Sequence, residues 1–287
     1  MKIWLSLALL ISVIAGAFAA NQGRERENII MDELVTSLMD GTKAGTQPAG
    51  GRVDFDTFSE LPAPVIRYLK HVLMDGQPLL AQAKIRQSGE QRCETDNDDW
   101  YPYTASHLIV APVTGFAWIA KSDAPFGTYV RMLDSYNDGV GSSSVNLFAA
   151  FTLSSHQDTP QLNAAFLQHY LASAVWIPTA LLPQFGVKWT PIDDNKALAT
   201  LTVKGTTVSL EFRFNQAGEV TGVYSPDRFR LVDDAYKQQA WAMTFGDYQL
   251  ESGMKVPQST SSGWYEGKEL KEVSKGKLVK VQYKIIM

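Results

Sequence analysis

The chain has 287 residues, 45% of them hydrophobic and 20% charged, which is enough apolar mass for one large β-type domain or two smaller ones and excludes a disordered chain. A formal net charge of −4 leaves no electrostatic footprint for nucleic acid. Cys93 is the single cysteine, so no intrachain disulfide and no thiolate-rich zinc site can form, and stability must come from packing.

Residues 1–20 have the layout of a targeting segment: Lys2 as a minimal positive start, an apolar run over 3–15, and Ala17-Phe18-Ala19 as a small-x-small cleavage pattern. The uncharged stretch 3–20 also reaches the lower length limit for spanning a bilayer. The segment is therefore expected to be a cleaved signal peptide or an N-terminal anchor, and the protein to be exported, periplasmic or membrane-anchored facing the periplasm. Residues 21–54 read as an amphipathic helix over 27–39, with Ile30, Leu34, Val35 and Leu38 at helical spacing, followed by a Gly-, Ala-, Thr- and Pro-rich linker over 41–51. The remainder, 55–287, reads as a single β-rich domain.

That domain opens with a helix over 56–73, in which Val65, Leu69 and Val72 share a face with Tyr68 beside them; it is expected to cover an open end or edge of a sheet. From Leu79 the period changes from 3.6 to 2, predicting strands over 79–91, 104–111, 115–121, 127–136 and 141–153, with Asn137-Asp138-Gly139 as a hairpin turn. The segment 159–183 interrupts this pattern. Thr159 suits an N-cap and Pro160 the first helical position, and the spacing predicts a helix over 160–176. Leu162, Phe166, Leu167, Tyr170, Leu171 and Ala174 cover about half its circumference, Gln161, Gln168 and Ala172 lie opposite, and His169 sits at one rim as a surface imidazole.

Strands resume near Val187. Val208, Leu210, Phe212 and Phe214 alternate with Thr207, Ser209, Glu211 and Arg213, and Val279, Val281, Tyr283 and Ile285 alternate with Lys280, Gln282 and Lys284. Turns at 215–218 and 251–253 make the expected topology an antiparallel meander. Ala240, Trp241, Ala242, Met243 and Phe245 put apolar residues on both faces of one strand, as a covered strand or one lining a cavity requires. The fold class expected is α+β, mostly β: a large curved antiparallel sheet, a half-open barrel, wrapped around one central helix, with an additional N-terminal helix.

Catalytic signatures are sparse. His71, His107, His156 and His169 fall in no metal-ligand spacing, and no metal is expected. No Gly-x-Ser-x-Gly elbow exists, and a triad from His107, Asp134 and a serine would require the fold to bring them together. In the acidic run 94–99, Asp96 and Asp98 suit alternate calcium-ligand positions, but Trp100 and Tyr101 break the pattern and a solvated loop is the better reading. No phosphate-cradling loop or dinucleotide fingerprint appears, so no cofactor is expected. The aromatic mass is the more distinctive feature. Phe116, Trp118, Phe166, Tyr170, Trp176, Trp189, Phe212, Phe214 and Trp241 are the residues expected to line an apolar groove between sheet and helix, in competition with an ordinary core role for each.

Several short motifs together resemble an uncharacterised bacterial family of membrane-associated or exported proteins: Phe58-x-x-Leu61-Pro62-x-Pro64-Val65-x-x-Tyr68-Leu69, Gln87-Ser88-Gly89, Phe116-x-Trp118-x-Ala120 and Trp176-x-Pro178-x-Ala180-Leu181-Leu182-Pro183. The resemblance spans 55 to about 265 and implies no catalytic residue. More loosely, the signal, sheet and enclosed helix are similar to the outer-membrane lipoprotein carriers (LolA-like proteins), whose architecture shields acyl chains; this chain departs from them in its longer front end.

The function expected is a non-enzymatic cell-envelope protein binding a lipid or other hydrophobic small molecule, with the membrane surface or an envelope protein as further partners and no nucleic acid. The alternatives are an exported hydrolase in which His107, Asp134 and Asp138 converge, and an interaction module that receives a partner segment in its groove or at a sheet edge.

Overall fold

Period-two alternation punctuated by tight turns builds most of the structure. The computed structural model describes residues 36–38, 51–92, 99–124, 128–148 and 151–286. After a 3-10 turn (Phe55–Glu60), helix α1 (Ala63–Val72) buries Val65, Tyr68, Leu69 and Val72. Strands β1 (Leu80–Arg92), β2 (Trp100–Val110), β3 (Gly115–Ala124), β4 (Thr128–Asn137), β5 (Val140–Leu147) and β6 (Phe151–Gln157) form a first antiparallel meander. Helix α2 (Pro160–Ser173) and three 3-10 turns follow, at Ala174–Trp176, Pro178–Leu181 and Pro183–Phe185. The second meander runs through β7 (Lys188–Asp193), β8 (Lys196–Val203), β9 (Thr206–Phe214), β10 (Val220–Val232) and β11 (Ala235–Gly246). A separate small hairpin of β12 (Gln249–Glu251) and β13 (Met254–Val256) precedes β14 (Ser259–Glu266) and β15 (Glu269–Ile285).

Turn chemistry sets the registers. Asp138 and Gly139 both have positive φ, 50° and 90°, and so do Lys204 and Gly205, at 48° and 83°. That is the two-residue geometry whose twist matches antiparallel strands. In β9 the buried side chains are Val208, Leu210, Phe212 and Phe214, the alternation read from the sequence.

The two meanders join along one seam. The sheet has 13 strands in the order β6-β5-β4-β3-β2-β1-β15-β14-β11-β10-β9-β8-β7, and β1 pairs with β15 from Leu80 opposite Ile285 to Gln91 opposite Ser274. This corrects the expected half-open barrel wrapped around its helix. The sheet is open, with β6 and β7 as its two edges and no ladder between them among the described residues. Closure requires the outermost strands to pair, and here the chain between them is spent on α2 and the turns after it. What holds is a mostly-β sheet with a central helix, which contacts β4 and β5 in one meander and β8, β9 and β10 in the other.

Local boundaries also differ. Leu61 and Pro62 split the expected helix over 56–73 into a 3-10 turn and α1, because a residue before proline is pushed out of helical backbone. The stretch 141–153 is two strands, parted beside Phe148 with its positive φ of 53°. Helix α2 stops at Ser173 and is buried on nearly all sides in its second half: Gln168 and Ala172 are buried, and Gln168 donates to Ser225 Oγ on β10 at 3.0 Å. Residues 1–20, most of 27–39 and 41–51, and the acidic run up to Asp98 lie outside the described residues. Residues 36–38 are helical, and Leu38 is buried against Val110 and Ala117.

Candidate functional site

Directly opposed residues on neighbouring antiparallel strands share a face, so register decides which polar groups meet. Ile85, His107, Trp118, Asp134, Ser143 and His156 form one such row from β1 to β6. Two residues along, the next row on that face reads Gln87, Ala105, Ala120 and Met132. The two alanine side chains fill little of the space between Gln87 and Met132, and both of these border a cavity of about 280 Å³. His107, Trp118, Asp134 and Tyr103 line it from the first meander, and His169, Ser173 and Trp176 from α2 and its following turn. Met243, Thr260, Ser262, Val273 and Ser274 close it from the second meander, with Gln91 and Arg92 at the end of β1. A larger hollow of about 860 Å³ shares Tyr103 and Thr260 with this cavity and runs past Phe245, Gly246 and Ser259 to exposed Glu90, Thr104 and Lys277. Its Ser88, Glu90, Thr104, Ser261, Lys275 and Lys277 alternate along their strands with the residues that face the cavity, so most of this hollow lies on the other face of the sheet.

The cavity holds polar groups at low hydration. His107 and His169 have ring centroids 5.7 Å apart. Burial pushes the His107 imidazole down to about 3. His169 is also pushed well below its ordinary value, by burial first and then by His107 and Arg228. Both rings are therefore neutral at pH 7. Burial raises the Asp134 carboxyl to about 6, against the pull of the Ser143 hydroxyl, which donates to Asp134 Oδ1 at 2.6 Å, and of Arg228. Arg228 itself is buried, 4.2 Å from the Trp241 ring centroid, and burial lowers its guanidinium to about 10 while Asp134 holds it up. Four side chains in or beside the cavity carry buried polar atoms with no hydrogen-bond partner among the described residues: His107 Nε2, Ser173 Oγ, Thr260 Oγ1, and Arg228 at Nε and one terminal nitrogen. Unpartnered buried polar atoms are costly, and each calls for an occupant that hydrogen-bonds.

The hydrolase constellation is not assembled. His107 and Asp134 line the same cavity, but they stand two strands apart, about 9 to 10 Å between backbones, with Trp118 between them. The Ser143 hydroxyl is committed to the Asp134 carboxyl. Asp138 sits in the exposed hairpin turn, 3.0 Å from Lys204 Nζ. Among the described residues, no group of three or more His, Cys, Asp or Glu side chains is arranged to hold a metal ion.

Of the nine aromatic residues expected to line a groove, Trp118 and Trp176 border the cavity. The others pack in the core around it. Phe116 lies 5.7 Å from Phe166, Trp189 lies 5.1 Å from Phe212, and Phe214 lies 5.9 Å from Tyr68. Tyr170 is buried, and Trp241 lies under Arg228. His169, expected at the surface, faces the cavity instead. Sequence reasoning missed Gln87, Met132, Ser173, Arg228 and Thr260. A signal existed for Gln87: it follows Ala83 and Ile85 in phase on β1, a polar residue at an inward position. Arg228 gave none, because a bulge between Ser225 and Arg228 shifts the alternation there.

Residues 51–275 match a family described as "Family of unknown function (DUF6544)". No curated protein matches the chain. Among solved structures, it has weak similarity to a LolA superfamily protein from Nitrosomonas europaea, at 8% identity over 79% of this chain and 94% of that one, with a TM-score of 0.39. A beta-barrel-like protein of the domain of unknown function DUF1849 from Brucella abortus matches at 11% identity over 72% of this chain and 99% of that one, with a TM-score of 0.24. Likenesses this weak carry nothing about what the chain binds or does.

Proposed function

We propose, for a chain that belongs to the DUF6544 family and inherits no activity from it, non-enzymatic binding of a hydrophobic or amphiphilic small molecule in the cell envelope. The ligand is held in the cavity beneath the C-terminal end of α2. The observation that carries this reading is the cavity itself, walled by Trp118, Trp176, Met132 and Met243 and edged by buried polar groups. Ligand sites combine an apolar lining with a few fixed polar groups, and the volume of about 280 Å³ falls just short of their usual range of about 300 to 1,000 Å³. Methionine adapts its shape to irregular apolar ligands. The export-type segment at 1–20 supports an envelope location.

Native mass spectrometry of gently purified protein tests the reading, together with titration of a dansylated undecanoic acid followed by energy transfer from tryptophan. The expected result is a co-purifying amphiphile, or saturable uptake of the probe that Trp118→Ala weakens. Clean apoprotein that takes up no probe would overturn it.

A further inference from the structure

We infer that Arg228 anchors a single anionic head group, the carboxylate of a fatty acid, on the side of the cavity where α2 meets β10. The inference rests on the ligand-binding reading above and deepens it. Its ground is a guanidinium that stands beside the cavity, only 8% exposed, with Nε and one terminal nitrogen unpartnered among the described residues.

A bulge puts it there. Ser225 lies opposite Trp241 and Arg228 opposite Gln239, so three steps along β10 match two along β11. Ser225 faces inward, where it accepts from Gln168 of α2; without the extra residue Asp227 would be the next inward side chain and Arg228 would point to the other face of the sheet. With it, Arg228 shares a face with Trp241 and Met243, and Met243 walls the cavity together with Ser262 opposite it. The guanidinium lies 4.2 Å from the Trp241 ring centroid and 5.9 Å from that of Trp264. Contact with an indole face attracts the charge but satisfies none of the N–H groups.

The charge is felt inside the cavity. His169 of α2 and Asp134 of β4 both line it, and Arg228 lowers the imidazole of one and the carboxyl of the other. One cation offered at this place suits a monoanion. Asp134 does not discharge the site: its carboxyl accepts from the Ser143 hydroxyl at 2.6 Å and acts on Arg228 by charge, with no hydrogen bond between them. An acid that faces the guanidinium from a distance leaves its N–H groups bare, a cost that a carboxylate in contact removes through charge-assisted hydrogen bonds. Asp134 is then the ligand's competitor for Arg228, and its charge opposes binding.

The test compares decanoate with decan-1-ol, which share one chain, by calorimetric titration at pH 7.5 within the solubility of the alcohol, on the wild-type chain, Arg228→Met and Asp134→Asn. Thermal unfolding checks that each variant is folded. The readout is the ratio of the two affinities, which cancels changes in the apolar part of the cavity. Wild type is expected to favour decanoate. Arg228→Met should lower the ratio at least tenfold, equivalent to about 1.4 kcal/mol, by weakening decanoate while decanol stays within twofold. Asp134→Asn should raise it at least threefold, because the ligand then has the guanidinium to itself, and this variant decides the matter should Arg228→Met not fold. Wild type that prefers decanol, a ratio that does not fall in folded Arg228→Met, or one that does not rise in Asp134→Asn overturns the anion assignment and leaves the ligand-binding reading in place. Binding of neither compound to wild type overturns both.

Discussion

Replacing Asp134 with asparagine should stabilise the protein at neutral pH and leave it unchanged in acid. The carboxyl rises from 3.8 to about 6 because burial outweighs the Ser143 hydrogen bond and the Arg228 charge. Between those two values the folded chain holds a proton that the unfolded chain has released, so stability falls as pH rises through the window and is level above it. At 1.36 kcal/mol for each pH unit, the full loss is about 3 kcal/mol, and about 2 kcal/mol where water in the cavity screens the charge. Asparagine keeps the size and an acceptor oxygen for Ser143 but has no proton to release. Urea unfolding of both chains at pH 4, 5, 6 and 7.5, followed by tryptophan fluorescence, gives the difference directly, free of every other titrating group. The variant should match wild type near pH 4 and exceed it by about 2 to 3 kcal/mol at pH 7.5. A difference that does not vary with pH, or a variant less stable at pH 7.5 with an unchanged denaturant slope, would refute the claim that this carboxyl is ionised against its surroundings.

Three further outcomes are expected. His107 titrates in the opposite sense: the unfolded chain takes up a proton below 6.5 that the folded chain refuses until about 3, so acid destabilises, by about 2 kcal/mol at pH 5, and His107→Leu should flatten that limb in the same unfolding series. The Thr159 hydroxyl accepts from Leu162 N at 3.2 Å, and Thr159→Ala should cost about 1 kcal/mol while Thr159→Asp retains the cap, as read by thermal unfolding. Gly89 lies opposite Gly276 at the seam, where an added Cβ would meet the Lys275 carbonyl oxygen at 1.9 Å. Gly89→Ala should therefore destabilise by about 3 kcal/mol, whereas Ser88→Ala beside it should stay within about 0.5 kcal/mol.

Much of the local structure is legible in the residues, and the reason is that its causes are local. Asp138-Gly139 dictates a hairpin, Thr159-Pro160 starts a helix, and the alternation from Thr207 to Phe214 makes a two-faced strand. What escaped depends on pairs far apart in the chain. Nothing near Leu80 announces that its partner is Ile285, and the order of strands in the sheet, and hence its open edges, follows from that pairing. His107 and Asp134 are each visible as polar residues within strands, but only the registers of β2, β3 and β4 reveal that Trp118 stands between them. Ser173 and Thr260 carry no signal at all, since an inward hydroxyl without a partner looks in sequence like any other serine or threonine.

The strand order also imposes a chronology. Each meander is stitched from neighbouring hairpins and is able to zip up through short loops, but the ladder that fuses them links residue 80 to residue 285 and needs a very large loop to close. The 17-residue β15 and its mate β1 are thus the last flanks to be covered on the way to the native state, each bare for as long as the other is late. During refolding, dilution should favour correct fusion of the halves, because two copies waiting at this step present each other with the same long unsatisfied ribbon that they will eventually hide within themselves.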